Sequence, residues 1–167
     1  ARARARGRAA HHILSRVAES ADFALIDDDE RAHFAVRAIA RACGLSAFDD
    51  DNEQLFNQLV ATVRGPLGAL MRQGAGLRFE ELISYTTPSG AIVQGAADLV
   101  ARTPEWTLVV DFKSSAQGAE SDDTHLQLCA YAEGLRQAGE PDVRLSAWVI
   151  GASEVSAKRY TDDDQRQ

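Results

Sequence analysis

The sequence predicts an α/β protein in which three helices precede a βββαβ unit that forms a central sheet. Two observations predict this class. Apolar residues recur at helical spacing over 10–74, and from Leu77 they change to short apolar runs separated by turn residues. A helical pattern then returns over 124–138 before one more strand. This order of elements favours helices packed on a mixed sheet within one domain.

The helices are predicted from spacing and from their end signals. The first covers 10–21, where apolar residues follow the i, i+3, i+4, i+7 pattern. The acidic cluster 27–30 suits the start of a second helix, which Gly44 ends. The third follows the acidic residues 49–51, with an interruption at Gly65-Pro66 and an end at Gly74. The arginines of 1–8 predict either a solvated helix start or an arm that contacts phosphates.

Three strands joined by short turns predict an antiparallel meander over 77–85, 91–101 and 106–113. The third contains a continuous apolar run and is followed by the polar stretch 114–123. A breaker, Gly139-Glu140-Pro141, separates the late helix from a fourth strand over 143–150. The segment 151–167 is a polar, acidic tail.

Composition excludes several classes of protein. With 45% hydrophobic and 26% charged residues, the chain has the profile of a globular domain. No apolar run approaches the roughly 20 residues that span a bilayer, so no membrane partner is expected. Two widely spaced cysteines form no metal motif or disulfide framework, which indicates a reducing, cytoplasmic compartment. The chain starts at Ala1 and its single methionine is Met71, so we expect a piece of a longer protein.

Acidic residues on the second and third strands are the first candidates for chemistry. Because side chains alternate along a strand, Asp111 and Lys113 share one face. Asp98 lies in an apolar stretch of the neighbouring strand, where a carboxylate is costly unless it is paired. Asp98 and Asp111 brought together beside one lysine would suit Mg²⁺ or Mn²⁺. A rim salt bridge, or a carboxylate satisfied by amides or an arginine, is the alternative.

Two helices carry further candidates. In the late helix Gln127 and Tyr131 are four residues apart, so they could hold a phosphate together or form an ordinary core edge. In the first helix His11 follows Gly7 by one turn, and the glycine leaves space beside the imidazole. An ordinary helical histidine is the alternative, and a zinc site of the HExxH type is excluded because no histidine lies at i+4.

In this order the motifs resemble the PD-(D/E)XK nuclease superfamily, and specifically its RecB-like branch in helicase–nucleases of the AddA and RecB type. The matching segments are "GRAAHHIL", an acidic residue in "FEELIS", "GAADLV", "VVDFKSS" and "QLCAY". The resemblance implies a restriction-endonuclease-like core, αβββαβ, with a helical insertion after the first helix. It divides the chain into the His-bearing helix 1–21, the insertion 22–76, the core 77–150 and the tail 151–167.

The resemblance also implies a role for each candidate. The metal ligands would be His11, Asp98, Asp111 and the backbone carbonyl of Phe112. Lys113 would position the attacking water, and Gln127 with Tyr131 would support the site or hold the DNA backbone. Glu80 or Glu81 would supply one more acid, and strand alternation does not decide which. The cofactor would be Mg²⁺ or Mn²⁺. Some members hold an iron–sulfur cluster with four cysteines, which this chain lacks, so no cluster is expected.

The implied function is a metal-dependent DNA nuclease in repair or recombination. Its partners would be DNA and a helicase motor, in cis or as a separate subunit, in the nucleoid of a bacterium. One alternative is a non-catalytic module for DNA binding or protein docking. Another is an RNA-directed or restriction-type nuclease. The net charge of −7 predicts weak, metal-dependent DNA binding by this piece alone.

Overall fold

The computed structural model describes residues 2–20, 24–45, 50–161 and 164. The chain divides into two compact units, one of 1–74 with 150–154 and the other of 75–149 with 155–167. The first unit is helical and the second contains the sheet. The single-domain layout that the sequence suggests stays a prediction.

The helical unit confirms the predicted helices and divides them more finely. Its elements are α1 (Arg2–Glu19), α2 (Ala24–Asp27), α3 (Asp29–Ala42), α4 (Asp50–Thr62), a π-helical turn (Val63–Leu67) and α5 (Gly68–Arg72). Asp28 caps α3 by accepting from the Arg31 N–H at 3.1 Å. The predicted interruption is confirmed, since Gly65 leaves helical geometry at ψ −111° beside Pro66. Among the described helices, none has the length and apolar character that crossing a membrane requires.

The second unit is built on a sheet that is mixed, as the sequence predicts for its fold class, and that contains five strands where the sequence predicts four. The elements are β1 (Gly76–Thr86), β2 (Ile92–Arg102), β3 (Thr107–Lys113), α6 (Ala116–Ala119), α7 (Asp122–Gln137), β4 (Val143–Val149) and β5 (Lys158–Arg159). The strands lie in the order β1-β2-β3-β4-β5. Only β3 and β4 are parallel, joined through α6 and α7. The sequence did not predict α6 and β5, which are too short to show a periodicity.

Helix α7 packs on the sheet through a buried apolar cluster. Val109 of β3 and Leu128 of α7 both belong to it. Gly134 allows α7 to approach β1, because a Cβ there would lie 2.4 Å from Ile83 Cγ2. The continuous apolar run of β3 is therefore the hydrophobic centre of this unit, as expected for a strand covered by a helix and flanked by neighbours.

Asp164, which follows β5, has a side chain that is only 3% exposed. One carboxylate oxygen is ion-paired with Lys158. The other accepts hydrogen bonds from the Thr161 N–H at 2.9 Å and the Thr161 hydroxyl at 2.8 Å. The Lys158 ammonium, assisted by Thr161, lowers the pKa of Asp164 to about 2. Because this pKa lies below the unfolded value, the charged group stabilises the fold above about pH 4.

We predict that Asp164→Asn lowers the free energy of unfolding by about 2 kcal/mol at pH 7. The difference from the wild type should shrink as the pH falls from about 4 to about 2, because protonation removes the same interaction. Urea unfolding at several pH values measures this. Asp27→Asn is the matched control, since it removes an exposed ion pair with Arg72 and should cost less than about 1 kcal/mol. A difference that does not change with pH would contradict the prediction.

Candidate active site

The candidate site begins where β1 and β2 carry two facing acids. The strands pair on both sides of them, at Phe79↔Leu99 and Glu81↔Ala97, so Glu80 and Asp98 are direct cross-strand neighbours. Glu80 has a positive φ of 51°, which is rare for a residue with a side chain. The backbone irregularity holds carboxylate oxygens of Glu80 and Asp98 within 4.8 Å of each other.

Asp98 also marks the place where β2 and β3 separate. Their backbone pairing ends at Leu99↔Val110. Beyond it, Asp98 Oδ2 accepts a hydrogen bond of 2.6 Å from the Phe112 N–H. The side chain thus satisfies a backbone donor that the neighbouring strand no longer reaches.

Asp111 and Lys113 form an ion pair at the end of β3, on the shared face that alternation predicts. Lys113 Nζ lies 2.7 Å from Asp111 Oδ2, and the Asp111 side chain is 5% exposed against 26% for Lys113. The stem of Lys113 passes Gly118 of α6, where a Cβ would lie 3.8 Å from Lys113 Cβ. A buried carboxylate is stable only with such a partner, while the ammonium reaches toward solvent.

The structure separates the two acids between which the sequence left the choice open. Glu81 accepts two hydrogen bonds from the Arg102 guanidinium, at 2.6 and 2.7 Å. The same arginine contacts Glu140 at 2.8 Å, and Glu81 is the main cause that raises the pKa of Arg102. Glu81 therefore belongs to a structural ion network. Glu80 is the acid that lies beside Asp98.

Gln127 and Tyr131 contact each other directly on α7. The amide of Gln127 donates a hydrogen bond of 2.9 Å to the Tyr131 hydroxyl. The buried Tyr131 ring packs against Gly95 of β2, where a Cβ would lie only 2.6 Å from Tyr131 Cε1. Our sequence analysis did not assign Gly95 a role. It lies three residues before Asp98, so the glycine of the "GAAD" segment makes room for the tyrosine of "QLCAY".

Two predicted ligands stay predictions. His11 lies on α1 of the helical unit, where it is half-buried. Phe112 is buried, and its ring packs edge-to-face on Trp148 with centroids 5.8 Å apart. This packing fixes the backbone at the end of β3, including the N–H that Asp98 binds.

The donor set in the second unit fits a hard divalent cation. Glu80, Asp98 and Asp111 offer only carboxylate oxygens, which Mg²⁺ and Mn²⁺ prefer. Glu80 and Asp98 are like charges on adjacent strands, and such pairs are destabilising without a compensating cation. Glu80 and Asp98 are therefore candidates for binding a cation, and the ion pair of Asp111 and Lys113 lies at the end of the next strand.

Comparison with known proteins gives one match to a protein family. The family model described as the PD-(D/E)XK nuclease superfamily matches residues 1–167. No curated protein matches the sequence.

Two solved structures are similar at low identity. The crystal structure of SSO0001 has 15% identity and a TM-score of 0.39, covering 71% of this chain and 63% of its own. A protein of Eubacterium rectale, named as a candidate exonuclease, has 12% identity and a TM-score of 0.43, covering 92% of this chain. The present chain spans 61% of the length of that protein.

We predict that Gly95→Ala destabilises the protein by about 1–3 kcal/mol, because the added methyl displaces the Tyr131 ring. Gly76→Ala is the matched control in a strand, since its Cβ would meet only the Arg102 carbonyl at 3.9 Å. That control should change stability by less than about 0.5 kcal/mol. Chemical denaturation measures the free energy of unfolding of both variants. Equal values would contradict the close contact between the Tyr131 ring and Gly95.

Proposed function

Because the chain belongs to the PD-(D/E)XK nuclease superfamily, we propose that it is a divalent-metal-dependent nuclease that hydrolyses phosphodiester bonds of DNA. The observation that carries the proposal is the cluster of acids around the end of β3. Glu80 and Asp98 face each other across β1 and β2, and the ion pair of Asp111 and Lys113 follows the point where β2 and β3 separate.

The residues that would hold the metal are the three carboxylates of Glu80, Asp98 and Asp111. The Phe112 carbonyl and the His11 imidazole would complete its shell, as the resemblance to the family implies. A bound Mg²⁺ or Mn²⁺ supplies charge neutralisation on the phosphate and a bound water of lowered pKa. The hydrogen bond from the Phe112 N–H keeps Asp98 in place for this role.

Lys113 is the group that acts directly on the reacting atoms. Its ammonium is held 2.7 Å from Asp111 and retains donors for other acceptors, since an ammonium carries three N–H groups. It can donate to a phosphate oxygen and stabilise the negative charge that develops there. The same group can orient the attacking water through a hydrogen bond.

Gln127 and Tyr131 would fix the substrate on the α7 side. Their mutual hydrogen bond and the contact with Gly95 restrain the Tyr131 phenol. A phenol oxygen is both donor and acceptor, and the exposed Gln127 amide is too. The pair is therefore suited to bind the DNA backbone next to the scissile phosphate.

We also propose the RecB-like setting that the motif order implies. There the nuclease works joined to, or beside, a helicase motor in bacterial DNA repair or recombination. The charge distribution favours such dependence on a partner. The acidic runs 27–30, 49–51 and 162–164 account for much of the net charge of −7. A partner would therefore supply the positive charge that attracts DNA.

Cleavage assays test the proposed activity. Asp98→Asn, Asp111→Asn and Lys113→Met should each lower Mg²⁺- or Mn²⁺-dependent DNA cleavage by about 100-fold or more. Asp142→Asn is the matched control, because Asp142 has a positive φ of 34° that asparagine tolerates. Running DNA and RNA in parallel identifies the substrate. Wild-type activity in Asp111→Asn, or no cleavage by the wild type with either metal, would refute the proposal and favour a non-catalytic module.

The neighbouring glutamates provide a second test. Glu80→Gln should lower cleavage by about 100-fold without lowering stability. Glu81→Gln should instead lower the free energy of unfolding by about 1–3 kcal/mol, because half-buried Arg102 loses a partner, and should keep most of its activity below its unfolding temperature. A loss of cleavage in Glu81→Gln together with a loss of stability in Glu80→Gln would show that Glu81 is the site residue.

A binding measurement tests the expected dependence on metal. We predict that Lys113→Met binds DNA weakly in chelator and more tightly with Mg²⁺, because the metal would neutralise the acids that face the phosphates. Fluorescence anisotropy with a short labelled DNA at physiological salt measures both affinities. Tight binding in chelator would contradict the prediction.

A further inference from the structure

A second group of potential ligands lies on α7 and the segment after β5. It consists of His125, Cys129 and Asp164, whose ligand atoms all lie within 4.8 Å of one another. Cys129 Sγ lies 3.6 Å from His125 Nε2, and His125 Nε2 lies 4.0 Å from Asp164 Oδ1. His125 and Cys129 are four residues apart, so one helix face presents both side chains.

These distances are close to those of a tetrahedral zinc site. Zinc binds sulfur at about 2.3 Å and nitrogen or oxygen at about 2.0–2.2 Å, which places tetrahedral sulfur and nitrogen ligands about 3.6 Å apart. The separation of Cys129 and His125 already equals this value. Nitrogen and oxygen ligands would lie about 3.4 Å apart, so Asp164 needs to approach His125 by a fraction of an ångström.

The carboxylate of Asp164 is oriented as a ligand would be. Its Oδ2 accepts from the backbone and the hydroxyl of Thr161, which directs Oδ1 toward His125 and Lys158. Hydrogen bonds of this kind hold metal-bound carboxylates in known sites. The Lys158 ammonium holds the position beside Oδ1 that a metal would take, and it can move into solvent because its side chain is 58% exposed.

The cluster is reachable from solvent. Cys129 and Asp164 line a groove of about 310 Å³, together with Glu133 and Tyr160. Burial raises the pKa of the Cys129 thiol, so the sulfur carries its proton until a metal displaces it. Thiolate and imidazole ligands favour Zn²⁺ over the Mg²⁺ or Mn²⁺ expected at the carboxylate cluster.

We propose that His125, Cys129 and Asp164 form a Zn²⁺ site in which water is the fourth ligand. Binding releases the Cys129 thiol proton to solvent and displaces Lys158 from Asp164 Oδ1. The metal then ties Asp164 to α7, the helix that carries Gln127 and Tyr131. The proposal is independent of the nuclease activity.

Cobalt substitution is the direct test, because Co²⁺ bound to a thiolate has an absorption band that oxygen-bound Co²⁺ lacks. Titration of the metal-free wild-type chain should give one Co²⁺ with this thiolate band, which one equivalent of Zn²⁺ removes. Cys129→Ser should lose the band, and His125→Gln should bind Co²⁺ about 100-fold more weakly. Cys43→Ser, which removes the other cysteine, should keep the thiolate band of the wild type.

Lys158→Gln gives a result specific to this geometry. Removing the competing ammonium should tighten Co²⁺ binding several-fold, whereas binding at any other place would not respond. Circular dichroism confirms that each variant is folded, and His125→Gln decides the test if Cys129→Ser does not fold. A wild type without the thiolate band, or a band retained in Cys129→Ser, would overturn the proposal.

Discussion

The hydrogen bond between Asp98 and the Phe112 N–H is the interaction on which the candidate site depends. A sheet can open between two strands only if the backbone groups left without a strand partner are satisfied in another way. Here pairing of β2 with β3 stops at Leu99↔Val110, and a carboxylate takes over the donor of β3. The opening therefore brings a negative charge to the end of β3, close to Asp111. The positive φ of Glu80 on the other side of β2 adds the facing acid.

Two kinds of cation pair with the buried and half-buried acids of the second unit. Arg102 binds Glu81 and Glu140 in a fixed fork geometry, which suits a permanent ion network. The chain contains two lysines, Lys113 and Lys158, and each is ion-paired with a buried aspartate. An ammonium on a flexible stem can leave a carboxylate more readily than a forked guanidinium can. Both lysines thus stand where we propose that a divalent cation binds.

The sequence could predict pairs of site residues that lie close together along the chain. It could not predict contacts between residues that lie far apart in the sequence. Alternation along a strand placed Asp111 beside Lys113, and helical spacing placed Gln127 beside Tyr131. The choice between Glu80 and Glu81 depended on a backbone irregularity at Glu80 and on Arg102, which follows Glu81 by 21 residues. Neither feature leaves a periodic pattern in the sequence. The contact of Gly95 with Tyr131 and the two-residue β5 were missed for the same reason, since they arise only from tertiary packing.

We propose that the acids at the opening of β2 and β3 form a binding site for a divalent cation. Electron paramagnetic resonance of Mn²⁺ measures this without substrate, by the loss of free-ion signal as protein is added. The wild type should bind Mn²⁺, Asp98→Asn and Glu80→Gln should each weaken binding by about 10-fold or more, and Glu81→Gln should leave it unchanged. Equal Mn²⁺ binding by the wild type and Asp98→Asn would show that these acids do not form the cation site.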